Sequence, residues 1–233
     1  MLKETIEKNL SEAYDKTNTQ TPNPFRASSS GECARKLAYK KLGFEGEPLN
    51  DRAKRVFRLG YIIEKEMTDA LPGLESIQAE GKVIIDGQEI TCHCDGIYND
   101  CIIDFKSING LGFKRVQTGF VEPSYISQMH VNMKAFGKRR AVLEFYCKDT
   151  SHIHECSIEW VDSIWDEIVE RFRKVIKATD SSLPDREHEP KQDGTLPWQC
   201  SYCGYCKTCW PDYTMDIVKG KPVFRKETNE TQD

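Results

Sequence analysis

The chain has 233 residues, of which 30% are charged and 38% are hydrophobic, and its formal net charge is −4 at pH 7. This length fits one ordinary domain, or one domain with a small appended module, and the composition excludes a wholly disordered chain. No stretch is apolar over the roughly 18 residues that a membrane-spanning helix needs, and the N-terminus lacks the apolar core of a signal peptide. We therefore expect a cytoplasmic protein with no membrane partner.

The ten cysteines are the unusual feature of the composition. Their share is well below the roughly 8–10% that marks a secreted disulfide scaffold. Four of them, Cys200, Cys203, Cys206 and Cys209, fall within ten residues near the C-terminus. In a reducing compartment, this spacing favours metal binding over disulfide bonding.

The first half of the chain predicts three helices followed by strands. Apolar spacing predicts a helix over residues 2–16, and the serines at 28–30 are placed to cap a second helix that carries Cys33 and ends near Gly43. A third helix is predicted from Asp51, as its N-cap, to Leu71. Residues 76–86, 89–98 and 101–108 are short, β-branched segments, and they predict three antiparallel strands.

The second half alternates between helical and strand patterns. A short helix is predicted over 110–119 and a longer one from Pro123, in its first turn, to Gly137. Residues 141–149 and 152–160 predict a hairpin, and 160–179 an amphipathic helix. A surface linker over 181–197 precedes the cysteine group, and the last nine residues are polar and expected to fray. The layout indicates an α/β or α+β domain whose mixed sheet is flanked by helices.

The most informative segment runs from His93 to Lys106. If Asn99-Asp100 forms a two-residue hairpin loop, Asp95 lies directly opposite Asp104. The period of two then places Lys106 on the face of Asp104 and His93 on the face of Asp95. The other face is apolar enough to be the core side and carries Cys92, Cys94, Cys101, Ile103 and Phe105.

Two opposed aspartates repel each other unless a hard cation lies between them, and Mg²⁺ and Mn²⁺ take oxygen ligands. The alternative is a solvated hairpin whose acids are exposed, with Lys106 paired to one of them. An apolar strand pair seldom places two acids face to face in solvent, which favours the metal site.

Asp95, followed by Asp104-Phe105-Lys106, resembles the PD-(D/E)xK signature of the restriction-endonuclease-like nucleases. Gly60 to Glu64 and Pro123 to Gln128 resemble helix motifs of the RecB-like branch of that superfamily. The one-plus-three cysteine pattern resembles that of its iron–sulfur members, the AddB-type nucleases and the small CRISPR-associated RecB-like nucleases; it comprises Cys33, Cys200, Cys203 and Cys209. The match covers most of residues 28–210.

This resemblance implies a single domain over 1–233 with a restriction-endonuclease-like α/β fold, a mixed sheet flanked by helices. The nuclease core would span 51–179, residues 28–43 and 198–210 would form the cysteine region, and 211–233 a tail. It also implies Mg²⁺ or Mn²⁺ held by Glu64, Asp95, Asp104 and the carbonyl of Phe105. Lys106 would orient or activate the attacking water and Gln128 would fix Lys106 or the scissile strand, while the substrate-binding residues would be Tyr125, Arg58 and Lys114.

The resemblance further implies a [4Fe–4S] cluster on Cys33, Cys200, Cys203 and Cys209, which would join the two ends of the chain. A local Cys₄ zinc site that includes Cys206 is the alternative. The remaining five cysteines are expected to be small apolar core residues. Two positions depart from the relatives: Asn132 stands where they usually have Tyr, and Glu64 where the small CRISPR-associated relatives commonly have His.

The implied function is a metal-dependent deoxyribonuclease, an exonuclease on single-stranded or end-exposed DNA in recombination, repair or phage DNA processing. One alternative is a nuclease that trims spacer precursors during CRISPR adaptation; recombination or CRISPR adaptation proteins would be its partners. Another is a zinc-stabilised, non-catalytic DNA-binding protein. The chain does not separate the first two.

Overall fold

The structure is a computed structural model that describes residues 2–18 and 23–226. The segment 227–233, which holds most of the polar C-terminal residues expected to fray, lies outside the described residues. Helices in the described part are α1 Leu2–Thr17, α2 Ala34–Lys41, α3 Asp51–Ala70, α4 Gly110–Gln117, α5 Pro123–Phe136, α6 Asp162–Lys177, α7 Trp198–Ser201 and α8 Cys206–Cys209. The strands are β1 Ala79–Ile85, β2 Gln88–Cys94, β3 Gly96–Tyr98, β4 Cys101–Ile108, β5 Arg140–Cys147, β6 Ile153–Glu159, β7 Tyr213–Val218 and β8 Lys221–Lys226.

The central sheet has the strand order β3-β4-β5-β6 and is mixed. The β3–β4 and β5–β6 pairs are antiparallel, whereas β4 and β5 are parallel. A parallel pair requires a crossover, and α4 and α5 provide it. The fold class is therefore the predicted α/β architecture, a restriction-endonuclease-like mixed sheet flanked by helices.

Helix ends follow the local chemistry. The Asn50 side chain, and not the predicted Asp51, caps α3 by accepting a hydrogen bond of 2.9 Å from the backbone N–H of Ala53. Pro123 opens α5 as predicted, and Gly137 ends it in the left-handed conformation, at φ 66°. The serines at 28–30 do not cap α2, because Ala27–Ser29 forms a 3₁₀ turn and the helix starts only after Cys33.

The prediction of one continuous strand over 89–98 is wrong. The chain bends at Asp95, so that β2 pairs with β1 in a separate two-stranded sheet while β3 joins the central sheet. A change of hydrogen-bonding partner leaves the apolar alternation intact, and the sequence pattern therefore gives no sign of it.

The prediction of a single core side for the β2–β4 segment is also wrong, because β4 is buried on both faces. Ile102 packs in one core with Cys94 and with Met129 of α5. Ile103 and Phe105 instead face a groove that residues of α3 help to line. A strand in the middle of a helix-flanked sheet has no solvated face.

Two apolar cores lie on the inner faces of α5. One includes Val131 with Leu37 of α2 and Phe172 of α6, and the other includes Met129 and Met133 with the central sheet. A third, smaller cluster joins Leu196, Cys206, Trp210 and Phe224.

Phe224 belongs to the β7–β8 hairpin, within the segment predicted to be a tail; the sequence analysis did not predict this hairpin. Among the described helices, none is both long and apolar enough to cross a membrane.

Candidate active site and cysteine site

The β3–β4 hairpin positions two aspartates next to each other. Tyr98 pairs with Cys101 and Gly96 with Ile103, which is the predicted register. Asn99 and Asp100 both adopt positive φ, 48° and 64°, as a two-residue hairpin loop of this type requires. Asp95 therefore immediately precedes β3 at the level of Asp104 on β4.

Asp95 is held by the backbone of the neighbouring strand. Its Oδ2 atom accepts a 2.7 Å hydrogen bond from the backbone N–H of Phe105. Burial raises the pKa of Asp95 to about 7, and the negative charges of Asp104 and Glu64 add to this effect. Asp95 therefore binds its proton more tightly than an ordinary aspartate does, because it is buried close to two other carboxylates.

Asp104 is almost completely buried, with 2% of its surface exposed. Its Oδ1 atom accepts a hydrogen bond of 2.9 Å from Nε2 of Gln128 on α5. Its Oδ2 atom is paired with the Nζ ammonium of Lys106. Both oxygens of this buried carboxylate are therefore held by neighbouring side chains.

Lys106 lies between Asp104 and the ring of Tyr125. Burial lowers the pKa of the Lys106 ammonium, but the charges of Asp104 and Asp95 outweigh burial and raise the pKa overall. Its Nζ atom lies 5.3 Å from the centre of the Tyr125 ring. Lys106 is accordingly a fixed positive charge beside the aspartates.

Glu64 reaches the site from α3. Gly60, one turn earlier, faces β4: an added Cβ there would make an ordinary contact of 3.5 Å with Oγ of Ser107. The Oε1 atom of Glu64 accepts a 3.0 Å hydrogen bond from Nε2 of Gln78, a residue that the sequence analysis missed. Burial raises the pKa of Glu64, with a smaller contribution from the Asp104 charge.

The carboxylates suit a hard divalent cation in their chemistry. Within residues 2–18 and 23–226, no group of three or more His, Cys, Asp or Glu side chains is arranged as a ready site for one metal ion. The mutual repulsion of Asp104, Asp95 and Glu64 nevertheless fits such an ion, since its charge would relieve the repulsion.

Other predicted residues lie elsewhere. In the described part of the chain, neither Arg58 on α3 nor the exposed Lys114 on α4 has a hydrogen bond or ion pair with the three carboxylates. His93 is exposed and faces Glu80 at 4.0 Å, not Lys106. Asn132 is buried, and its Nδ2 donates to the carbonyl oxygen of His93 at 3.3 Å.

The second site is a cavity of about 430 Å³ lined by Cys33, Cys200, Cys203, Cys206 and Cys209. It joins the start of α2 to the region of α7 and α8, so both ends of the chain contribute to it. Burial raises the pKa of the Cys200 thiol to about 11, with additional repulsion from Cys209, Cys203 and Cys33. The thiols are thus close enough to interact.

The five cysteines differ in their surroundings. Cys206 is buried in the apolar cluster with Leu196 and Phe224, and burial raises its pKa to about 12. Cys33, at the N-cap of α2, lies across the cavity from the C-terminal group. Burial raises the pKa of the Cys203 thiol, and the nearby charge of Lys36 opposes this in part.

Comparisons with known proteins give structural neighbours only. Neither the models of protein families nor the curated proteins include a match. The crystal structure of SSO0001 is 18% identical, with a TM-score of 0.57, and the alignment covers 92% of this chain and 98% of that one. This likeness shows a shared fold.

Two further structures are less similar. The alkaline exonuclease LHK-Exo from Laribacter hongkongensis is 18% identical at a TM-score of 0.49, covering 71% of this chain and 92% of that one. A phage-related exonuclease from Haemophilus somnus 129PT is 18% identical at a TM-score of 0.41, covering 69% of this chain and 94% of that one.

Proposed function

We propose that the protein is a metal-dependent deoxyribonuclease that hydrolyses phosphodiester bonds. The observation that carries this proposal is the buried Asp104, held by Gln128 and paired with Lys106, in the same site as the carboxyl groups of Asp95 and Glu64. An acid in this position, next to a second acid of raised pKa, is costly for folding and therefore points to function.

Mg²⁺ or Mn²⁺ would be held by Glu64, Asp95, Asp104 and the carbonyl oxygen of Phe105. When bound, the ion would polarise the scissile phosphate and lower the pKa of a coordinated water. The protein would keep these ligands in place through the Phe105 and Gln78 hydrogen bonds to Asp95 and Glu64.

Lys106 would stabilise the negative charge that grows on the phosphate during attack and would orient the attacking water. The Asp104 ion pair keeps its ammonium charged and fixed. Gln128 would position Asp104 through its hydrogen bond, whereas the sequence analysis expected Gln128 to fix Lys106 or the scissile strand. Tyr125 would contact the nucleic acid.

The substrate would be DNA, single-stranded or with free ends, and the reaction exonucleolytic. The net charge of −4 means that local cationic groups must track the backbone. The [4Fe–4S] cluster would be held by Cys33, Cys200, Cys203 and Cys209. Support comes from the cavity that these cysteines line and from the apolar packing of Cys206, which leaves it the least suited of the five.

The direct test is cleavage of end-labelled single- and double-stranded DNA with Mg²⁺, Mn²⁺ or EDTA. We expect metal-dependent cleavage that falls by at least about 10²-fold in Asp104→Asn and Lys106→Gln, the order of loss seen when one preorganised charge-stabilising group is removed. Phe57→Ala, a change at an exposed residue of α3, is the control and should cleave normally.

Unfolding curves of both variants would show that the fold is kept. Cleavage that persists in Asp104→Asn would contradict the site assignment. Absence of cleavage with either metal on any of these substrates would contradict the proposed function.

A further inference from the structure

A groove opens at the carboxyl end of β4, directly beyond Lys106. Its volume is about 350 Å³, and it lies between β4, α4, α5 and the loop after β5. We call it the Phe120 groove; the lining residues that matter here are Ser107, Leu111, Arg115, Phe120, Tyr125 and Lys148. Of its lining residues, only Tyr125 has a role in the function proposed above.

Tyr125 connects this groove to the aspartate site. Its ring lines the groove, packs on Phe145 at 6.1 Å between ring centres, and faces Nζ of Lys106 at 5.3 Å. A ligand whose phosphate lies at Lys106 would therefore have its neighbouring group at the mouth of the groove.

Phe120 forms a flat platform in the groove. Its side chain is 41% exposed, and the Arg115 guanidinium lies 4.0 Å from the centre of its ring. Nη1 of Arg115 donates a 2.9 Å hydrogen bond to Oε1 of Glu122, which fixes the guanidinium. Aromatic rings and guanidinium planes are the surfaces on which unpaired bases stack in proteins.

The groove also has a cation available for a phosphate. The half-buried Lys148 has no hydrogen bond or ion pair from its side chain to any described residue. Leu111, on the first turn of α4, is 74% exposed at the edge of the groove. A nucleotide combines the flat apolar ring and the negative charge that these residues would accommodate.

We propose that the Phe120 groove binds the nucleotide next to the scissile phosphate, with its base stacked on Phe120 and its phosphate facing Lys148. This inference rests on the proposed function. A base inside a duplex has both faces covered by its neighbours, and a terminal base is still tied to its partner, so an unpaired base is the one free to enter the groove and stack there. The groove therefore selects single-stranded or frayed DNA ends.

The experiment measures binding separately from cleavage. Oligonucleotides carry 2-aminopurine at the 5′ or the 3′ end, either unpaired or in a blunt duplex, and are titrated with protein in EDTA. We expect quenching of the unpaired probe at one end, and a Kd raised roughly 5- to 140-fold in Phe120→Ala, which corresponds to loss of about 1–3 kcal/mol of stacking. Binding of the blunt duplex should be unchanged.

Phe57→Ala is the matched control. It also removes an exposed phenylalanine, but one on α3, away from the groove, and this variant should bind as the parent protein does. A second variant, Lys148→Gln, should reduce the slope of log Kobs against log salt by about 0.7, the contribution of one phosphate contact on a single strand. In cleavage assays, Phe120→Ala should raise KM on unpaired ends.

If Phe120→Ala and Lys148→Gln bind unpaired ends as the parent does, the groove is not a nucleotide site, even where cleavage is intact. If no cleavage occurs but Phe120 still governs binding of unpaired ends, the groove stands and the proposed hydrolysis fails.

Discussion

The two aspartates of the candidate site are held by different groups. Asp104 has Lys106 as a counter-ion and Gln128 as a donor, whereas Asp95 has the backbone N–H of Phe105. Burial and the neighbouring carboxylates then raise the pKa of Asp95 to about 7. Near neutral pH, a proton on Asp95 would therefore compete with the proposed divalent ion.

This predicts that Mn²⁺ affinity depends on pH in a specific window. Below pH 7, protons compete with Mn²⁺ for Asp95, and each unit of pH decrease should weaken Mn²⁺ binding by up to about tenfold. Above pH 7 the Mn²⁺ affinity should become nearly independent of pH. Calorimetric titration of the protein with Mn²⁺ at pH 6, 7 and 8 measures it.

Asp104→Asn offers a matched comparison, because it removes the second-largest cause of the raised pKa. Its Mn²⁺ affinity should be lower at every pH, and the range in which the affinity does not change with pH should extend to lower pH. Equal affinities at pH 6 and pH 8 in the parent protein would show that no carboxyl of the site titrates there.

At this scale the sequence predicted the main residues but not their partners. Spacing and a two-residue turn sufficed to place Asp95 at the level of Asp104, because strand geometry is regular. Gln78 was missed because the strand predicted over 76–86 includes it, whereas β1 begins only at Ala79 and Gln78 lies in the preceding turn at φ 53°.

Helix α5 determines the geometry of the candidate site because it packs in both large cores and carries Tyr125 and Gln128. Its start is also a wall of the cysteine cavity. His130 fixes the helix further: Nδ1 lies 2.8 Å from the carbonyl oxygen of Ile126, and Nε2 accepts from the backbone N–H of Val161 at 3.1 Å. Burial lowers the His130 pKa, which keeps the ring neutral.

The contact between Gly31 and α5 gives a prediction at this scale. A Cβ at Gly31 would overlap the Cα atom of Ser124, a backbone atom that cannot rotate away. Gly31→Ala should therefore shift the start of α5, lower the free energy of unfolding by about 1–3 kcal/mol, and reduce cleavage. Urea unfolding and the cleavage assay measure the two effects.

Gly60→Ala is the matched control. Its Cβ would make an ordinary contact of 3.5 Å with Ser107, and alanine is favoured over glycine inside a helix by about 0.5–1 kcal/mol. This variant should gain stability. If Gly31→Ala matches the parent in both stability and cleavage, α5 is not positioned by this contact.

The elements that the sequence predicted correctly are those with strong periodicity or punctuation, such as α5 between Pro123 and Gly137. The break at Asp95 could not be predicted, because the residues alternate through it while the strand partner changes. The β7–β8 hairpin was missed although two signals indicate it: the alternating apolar residues Tyr213, Met215 and Ile217 of β7, and the positive φ turn at Lys219-Gly220.

At the scale of the whole molecule, the two ends of the chain meet at the cysteine cavity. Cys33 lies more than 160 positions before Cys200, and the linker between them is tied to the same region. Nη1 of Arg35 donates to the carbonyl oxygen of Pro184 at 2.8 Å, and the backbone N–H of Ala34 donates to Glu187 at 2.7 Å. A metal cluster here would close a long loop.

Cys33→Ser and Cys206→Ser distinguish a cluster that joins the two ends from a local zinc site. If Cys33 is a ligand and Cys206 is a core residue, anaerobically purified parent and Cys206→Ser proteins should be brown, with about four iron atoms per chain, the content of a [4Fe–4S] cluster. Cys33→Ser should be colourless and less stable by several kcal/mol, since closing a loop of more than about 100 residues contributes on the order of 5 kcal/mol in the chain-entropy model. Absorption spectra, metal analysis and urea unfolding provide the measurements.

Stoichiometric zinc that survives in Cys33→Ser but is lost in Cys206→Ser would instead establish a local Cys₄ site, and the ends of the chain would then be held by packing alone.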